Sequence, residues 1–454
     1  MMADSSTIQF LLTQQHDPTL PDGWRQMRLD SVATIGFSSV DKKSRQGERH
    51  VFLCNYMDVY NKEYVYGHEN FMCATASESD ISCFSVNPGD VIITKDSETP
   101  DDIGVPAVIV SAPNNLVCGY HLALIRPNQD EVDSLFLAKQ LAHDRISRYF
   151  ANLANGMTRY GLATAVVENV PLWLPSIDEQ RKIAKVLYKI DETIQKTEQL
   201  IAKLKAMKQG LLQDFLTRGL DENGELRDPI AHPEQFKESK FGLIPWEWDI
   251  ESIEEISSHV GSGLTPRGGS DVYRDSGVMF IRSQNVTFEG LKLYDVAFID
   301  HKTHQVMKRS EVFAHDVLIN ITGASIGRCC PLPEGFSPAN VNQHVCAIRL
   351  QDPCFENALF LSTALASPIG QRQINNLNAG SNREGLNYQQ LKAILIPWPT
   401  RKNERILISG NILHIELQIT SEQNYLTKLK LIKKGLMHDL LTGKVRVAQG
   451  GGSS

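Results

Sequence analysis

At 454 residues and 50.8 kDa the chain is too long for one ordinary core, so two to four domains are expected. Hydrophobic residues at 42% and charged residues at 22% exclude a disordered or fibrous chain. A formal charge of −7 gives no overall attraction for a polyanion, no apolar run nears the ~20 residues of a bilayer crossing, and no secretory pattern precedes Arg25, so a cytoplasmic location is expected.

Residues 1–21 read as an N-terminal extension. Residues 22–175 are rich in Gly, Pro and short β-branched runs such as Val91-Ile-Ile-Thr94 and Ala107-Val-Ile-Val110. Turn formers such as Asn87-Pro-Gly89 separate these runs, which read as strands of a mixed sheet, and residues 135–150 read as a helix. Residues 176–220 form one long helix, with Ser176 three residues before Glu179 as a capping-box start and Gly219 as its stop. A linker at 221–242 leads to residues 243–399, of the same character as 22–175, with Val317-Leu-Ile-Asn320 as a strand and 359–374 as a helix. A second long helix fills 400–444, starting at Thr400 and stopping at Gly443; residues 445–454, ending Gly450-Gly-Gly-Ser-Ser454, read as a flexible tail of expression origin.

The chain is written twice. An offset of 224 pairs Trp24 with Trp248, Gly156 with Gly380, Gly161-Leu162 with Gly385-Leu386 and Pro175 with Pro399. His121 and His344 differ by 223, and Gly210 and Gly435 by 225. A period this long means duplication rather than a solenoid. In the first long helix Ile183, Leu187, Ile190, Ile194, Thr197, Ile201, Leu204, Lys208, Leu211 and Phe215 alternate spacings of four and three. Ile408, Ile412, Ile415, Ile419, Glu422, Leu426, Leu429, Lys433, Leu436 and Leu440 repeat that spacing, polar interruptions included. This is a coiled-coil seam. Two separate amphipathic helices are the plainer alternative, but matching seams favour mutual antiparallel pairing. The expected fold is therefore mixed α/β domains in two copies, joined by two long antiparallel helices about a pseudo-two-fold axis. The polar midpoint at Thr197 and Glu422 would penalise slipped pairings.

Catalytic motifs are missing: no phosphate-cradling G-x-x-x-x-G-K-[ST], no G-x-G-x-x-G after a strand, no H-E-x-x-H and no G-x-S-x-G. Nor is there an Asn- or Asp-Pro-Pro-aromatic tetrapeptide to hold a flipped base. The eight cysteines show no C-x-x-C, so they read as buried reduced thiols and no metal site is expected. Binding, not catalysis, is the better reading.

Over residues 20–447 the chain resembles the specificity (S) subunits of Type I restriction–modification systems. The resemblance rests on Pro175-Ser-Ile-Asp-Glu-Gln-Arg-Lys-Ile-Ala184, on Lys208-Gln-Gly-Leu-Leu-Gln-Asp-Phe-Leu-Thr-Arg-Gly219, and on its repeat Lys434-Gly-Leu-Met-His-Asp-Leu-Leu-Thr-Gly443. In the second copy Thr265-Pro266, Phe280-Ile-Arg-Ser-Gln-Asn-Val286, Gly323-Ala-Ser-Ile-Gly327 and Asn340-Val-Asn-Gln-His344 are similar to that family's target-recognition domains. The first copy departs, carrying Lys95-Asp-Ser-Glu98 and Asp102-Ile-Gly-Val-Pro106, and the second helix opens with Arg401-Lys-Asn-Glu404 in place of Asp-Glu-Gln. The resemblance implies a non-catalytic subunit whose two heads each read half of a bipartite site in double-stranded DNA, with the helices as a ruler. It implies docking of two modification subunits that use S-adenosylmethionine, and of restriction subunits that cleave with ATP and Mg2+; the chain itself would hold no cofactor and touch no membrane.

Charge resists this reading in part. Residues 21–175 hold 13 basic against 19 acidic groups and residues 243–399 hold 12 against 16, whereas the helices at 176–220 and 400–447 are positive, with 9 against 6 and 9 against 4. If partner subunits supply most phosphate contacts, the heads need only base-reading groups, and the chain alone binds DNA weakly. Arg suits guanine, and Asn or Gln suits adenine. Candidates in the first head are Lys42, Lys43, Arg45, Arg49, Lys95, Arg159 and Tyr160; in the second, Arg267, Arg274, Arg282, Gln284, Asn285, Lys308, Arg309 and Arg383. Arg159 and Arg383 stand out because each lies in a glycine-flanked loop at the same step of the repeat. His121 and His344 read as structural histidines beside strands. The rival readings are a self-contained methyltransferase or nuclease with a duplicated recognition module, and a coiled-coil scaffold that binds no nucleic acid.

Overall fold

The short β-branched runs become strands in the computed structural model, which describes residues 20–266, 268–378 and 385–447. In the first head the strands are β1 (Arg25–Arg28), β2 (Ala33–Phe37), β3 (Arg49–Cys54), β4 (Tyr64–Val65), β5 (Met72–Ala76) and β6 (Val91–Thr94). They continue as β7 (Asp96–Ser97), β8 (Pro106–Ile109), β9 (Leu116–Cys118), β10 (Leu122–Pro127), β11 (Tyr160–Gly161) and β12 (Pro171–Leu174). Helices α1 (Tyr56–Tyr60), α2 (Glu78–Phe84), α3 (Ser134–Leu141), α4 (Asp144–Leu153) and α5 (Thr164–Glu168) are interspersed, and α6 (Ile177–Thr217) is the first long helix.

The second head follows with β13 (Phe236–Ser239), β14 (Gly242–Pro245), β15 (Asp249–Ser252), β16 (Ser257–Ser262), β17 (Val278–Ile281), β18 (Val286–Thr287) and β19 (Gly290–Leu291). Next come β20 (Ala297–Ile299), β21 (Glu311–Val312), β22 (Val317–Asn320), β23 (Cys329–Pro331), β24 (Ala339–Val341), β25 (Val345–Leu350) and β26 (Leu395–Trp398). Its helices are α7 (Ile253–Ile256), α8 (His301–Val306), α9 (Phe355–Ala366), α10 (Pro368–Asn378) and α11 (Tyr388–Lys392), and α12 (Lys402–Leu441) is the second long helix.

The two heads, unlike in sequence, share one strand order. The first has sheets β2-β10-β6-β8-β4 and β5-β3-β9; the second has β16-β25-β22-β23 and β20-β17-β24-β21. Four antiparallel neighbours recur in the first sheet of each, and a parallel pair flanked by an antiparallel one recurs in the second. They differ at the margins, where β4 is added to one sheet and β21 to the other, and in their two-stranded pairs, β7–β11 in the first head and β13–β14 and β18–β19 in the second. In both heads the last strand returns to an early one, β12 to β1 and β26 to β15, which follows the β13–β14 hairpin.

The chain forms two compact units, and the division falls inside both long helices: residues 1–198 with 425–454, and residues 199–424. The first unit's core includes Ile183 and Leu187 from α6 together with Leu440 and Leu441 from α12. The second includes Leu212, Phe215 and Leu216 from α6 with Ile408 and Ile412 from α12. Each head is thus built on the start of one long helix and the end of the other. Within the first unit Glu179, Asp191 and Glu198 meet Arg446, Lys433 and Lys430, so the two strands of helix run in opposite directions. Within the second, Lys208 meets Glu416 and the Leu220 N–H donates to Glu404, again reversed. All twenty seam positions are buried or half-buried, and Thr197 is among the buried ones. The helices of 41 and 40 residues end ahead of left-handed Gly219 and Gly443.

Several expectations need correction. The helices expected at 135–150 and 359–374 are each broken in two. His143 leaves helical geometry and its Nδ1 accepts from the Arg145 N–H at 3.2 Å, while Ser367, one repeat later, is extended ahead of Pro368. Thr400 does not cap α12: its hydroxyl donates to the Glu247 carbonyl, and the helix starts at Lys402, one residue beyond the 224 offset. Glu404 therefore takes the place of Glu179, and Arg405 that of Gln180. Residues 221–242 are more than a linker, since Arg227 is buried against Glu404 and the β13–β14 hairpin begins at Phe236. Five cysteines are buried, but Cys73 and Cys83 are exposed and Cys354 is half-buried. Burial pushes the thiols of Cys330 and Cys346 up to about 12. The 1–19 and 448–454 segments lie outside the described residues.

Candidate nucleic-acid interface

In each head one strand end carries the same web of backbone bonds. The Thr94 N–H donates to Val105 O (3.1 Å), Gly104 N–H to Thr94 O (2.9 Å), Lys95 N–H to His121 O (3.0 Å) and Leu162 N–H to Lys95 O (2.9 Å). In the second head the equivalents are Asn320 to Arg328 O (2.8 Å), Gly327 to Asn320 O (2.8 Å), Ile321 to His344 O (2.9 Å) and Leu386 to Ile321 O (2.8 Å). Beneath each web a buried carboxylate anchors the strand. Asp90 takes two bonds from Arg126 at 2.9 Å and one from Asn87 N–H; Asp316 takes two from Arg349 at 2.8 and 2.7 Å and one from Phe313 N–H. The segments that match only loosely in sequence, Val86–Asp90 and Phe313–Asp316, are one and the same turn.

On this common frame the exposed chemistry differs. In the first head Asp96 Oδ2 lies 2.9 Å from His121 Nδ1 and 3.0 Å from Lys95 Nζ. Lys95 sits over the Tyr120 ring at 4.6 Å and the Phe37 ring at 5.9 Å, a cation held between aromatic faces. In the second head Thr322 replaces Asp96, its Oγ1 2.5 Å from His344 Nδ1. The Gln343 amide nitrogen lies 3.0 Å from His344 Nε2. With that amide donating, the ring proton stays on Nδ1 and the Thr322 hydroxyl can donate outward. Ser283, Gln284, Thr322, Gly323, Ala324, Ser325, Arg328 and His344 line an open groove here of about 510 Å³. The groove draws together three segments quoted above, 280–286, 323–327 and 340–344.

The other candidates fall into groups. Lys42 and Lys43 are exposed, but Arg45 pairs with Asp41 (2.7 Å) and Glu48 (3.6 Å), and Arg49 with Glu78 (3.4 Å), so that basic cluster is largely neutralised. The backbone N–H of Lys43, with Arg45 beside it, holds the Asp41 carboxyl below its ordinary range. Arg159 is exposed; Tyr160 is half-buried against the first core and pairs with Ser97. Arg274 bonds its own loop through the carbonyls of Asp271 and Tyr273. Asn285 is 1% exposed, with its amide spent on the carbonyls of Lys292 and Asp295, which makes it a loop brace rather than a group offered to a ligand. Arg282 is tied to Asp295 as well, and so is the Gln284 amide. Lys308 pairs with Glu311, whereas Arg309 is exposed. Arg267 and Arg383 lie outside the described residues. Sequence reasoning missed Asp96, Tyr120, Thr322 and Arg328; for Asp96 and Thr322 the available signal was their position two residues beyond equivalent strands.

Among the described residues no helix is long and apolar enough to cross a membrane. A family model described as the Type I restriction modification DNA specificity domain matches residues 21–206. The chain is 23% identical over 373 residues to the putative type I restriction enzyme MjaX specificity subunit of Methanocaldococcus jannaschii, spanning 82% of this chain and 81% of that protein. It is 25% identical over 420 residues to the type I restriction enzyme EcoBI specificity subunit of Escherichia coli, spanning 90% and 83%. Among solved structures, a Type-I restriction-modification system S subunit from M. genitalium matches with a TM-score of 0.58 at 14% identity, covering 94% of this chain and 97% of that one. A chain from a structure of type I R-M complex assembly and conformational transition matches at 0.50 and 16%, covering 94% and 100%. At such identities the two structures establish the fold.

Proposed function

We propose that the chain is a specificity subunit of a type I restriction–modification system, in which each head reads one half of a bipartite DNA target while the long helices set the distance between the halves; its likeness to such subunits supports this reading. The subunit is the non-catalytic, DNA-recognising member of its system. The helices dock two modification subunits, which bring S-adenosylmethionine for adenine methylation, and restriction subunits add cleavage with ATP and Mg2+, all in the cytoplasm. The observation that carries this reading is one strand order used twice, with different side chains at the same strand ends, on helices that pair in reverse within each unit. The positive helices and negative heads agree with phosphate neutralisation falling mainly to the modification subunits.

Methylome mapping of cells expressing the assembled complex tests it. Adding or removing one helical turn in α6 or α12 changes the gap between half-sites and leaves both half-sequences intact. Altered half-sequences, or methylation with no two-part target, would overturn the reading.

A further inference from the structure

The four backbone bonds shared by the two heads place Arg328 where the first head has Val105, since both carbonyls receive the N–H of the preceding strand's last residue. Arg328 is exposed on the wall of the second head's groove, and among the described residues its guanidinium has no hydrogen-bond or ion-pair partner. That sets it apart from Arg274, Arg282 and Arg349 in the same head, each of which is spent on a protein oxygen. Its backbone is held on both sides. The Arg328 N–H donates to Ser325 O at 3.1 Å and its carbonyl accepts from Asn320. The preceding Gly327 has φ +82°, and a side chain there would come within 2.9 Å of Gln371 Oε1, so the turn that aims Arg328 requires glycine.

Resting on the function proposed above, we infer that Arg328 is a specificity-determining residue that reads a guanine edge in the half-site of the second head. The guanidinium fork matches the paired acceptors O6 and N7 of guanine in the major groove. Among the described residues it is the one arginine or lysine lining the groove; Gln284, Thr322, Ser325 and His344 around it are uncharged or imidazole groups of the kind that meet base edges. A phosphate contact would need charge alone, without this setting. The backbone beneath it is already held, so the ordering left for binding is that of the arginine side chain itself.

The test uses the chain assembled with its modification subunits, in competition binding against duplexes with each target base pair replaced in turn. Arg328→Ala should erase the preference for one G·C pair in one half-site, by roughly tenfold to a hundredfold, and leave the other half-site's ranking unchanged. Arg328→Lys keeps the charge without the fork and should retain affinity while losing most of that discrimination. Thermal melting of each variant complex should match the wild type, because the side chain holds nothing in place. Equal weakening on every duplex, or an unchanged ranking, overturns the proposal. A wild-type complex that prefers a two-part target alongside an indistinguishable Arg328→Ala complex sinks this inference alone; a wild-type complex with no sequence preference sinks the function beneath it.

Discussion

The two heads are secured to the long helices by the same repeat positions and by different amounts of buried charge. In the first unit Asp191 and Lys433 join Lys139 and Glu63 in a cluster, with Tyr64 donating to Asp191 at 2.6 Å and the Lys139 side chain only 4% exposed. In the second, the equivalent pair Lys208–Glu416 stands by itself at 2.7 Å with both side chains a quarter to a third exposed. At the helix starts the weighting reverses. Glu404 is buried with Arg227 and also accepts from Trp248 Nε1 and Leu220 N–H, whereas Glu179 has only the half-exposed Arg446 across from it. Duplication preserved where a charge sits, and divergence decided how deeply it is committed.

Substitutions at equivalent positions should therefore have unequal effects. Glu404→Ala strands a buried guanidinium and should cost about 3–5 kcal/mol, against about 1–2 kcal/mol for Glu179→Ala. Hydrogen-exchange protection read separately in the two units checks this, and equal losses would dissolve the distinction. Asp191→Ala should cost about 3 kcal/mol because it leaves Lys139 buried, while Glu416→Ala should cost about 0.5–1 kcal/mol; denaturant titration of each variant measures both. Where the heads agree, the effects should agree too: Arg126→Ala and Arg349→Ala each leave a buried carboxylate short of its main partner, and each should cost about 2–3 kcal/mol by the same titration.

The smallest difference is one of pH. Burial first, and then Arg145, hold the His143 imidazole at about 4, below its ordinary 6.5. The unfolded chain binds that proton between pH 6.5 and 4 while the folded chain does not, so the first unit should lose stability on acidification through this window. The second head carries Ser367 at the same step and should show no such slope from it. His143→Asn keeps a capping side chain that does not titrate and should flatten the profile measured by urea melts at stepped pH. Further down, burial opposes the charge on Glu63, but Lys139 and Lys433 prevail and hold it at about 2. Its contribution is complete above pH 4.5 and is lost as pH falls toward 2.

The long helices were legible because a seam needs mainly apolar side chains at the right step, and eight of ten seam positions carry them in both helices. Their mutual pairing followed from matching seams and polar positions, two of which, Lys208 and Lys433, the structure sets against Glu416 and Asp191 of the opposite helix. The kinship of the heads was far less legible. Their shared frame is made of backbone bonds and one buried Arg–Asp pair, and a backbone bond leaves no mark on residue type. Helix breaks at His143 and Ser367 went unread although Pro368 was in view, because the apolar spacing runs straight through both. Asn285 and Arg282 have the right chemistry for reading bases, but residue type does not reveal that neighbouring carbonyls already claim them. Arg328 was overlooked for the opposite reason, since the simple offset does not align it with Val105.

The seating of each head on the start of one helix and the end of the other has a consequence for synthesis. Residues 199–424 form an unbroken stretch, so the second unit can close as soon as it leaves the ribosome. The first unit, although begun earlier, leaves Ile183 and Leu187 without Leu440 and Leu441 until the second long helix has been translated. The half that is born first is the half that is finished last.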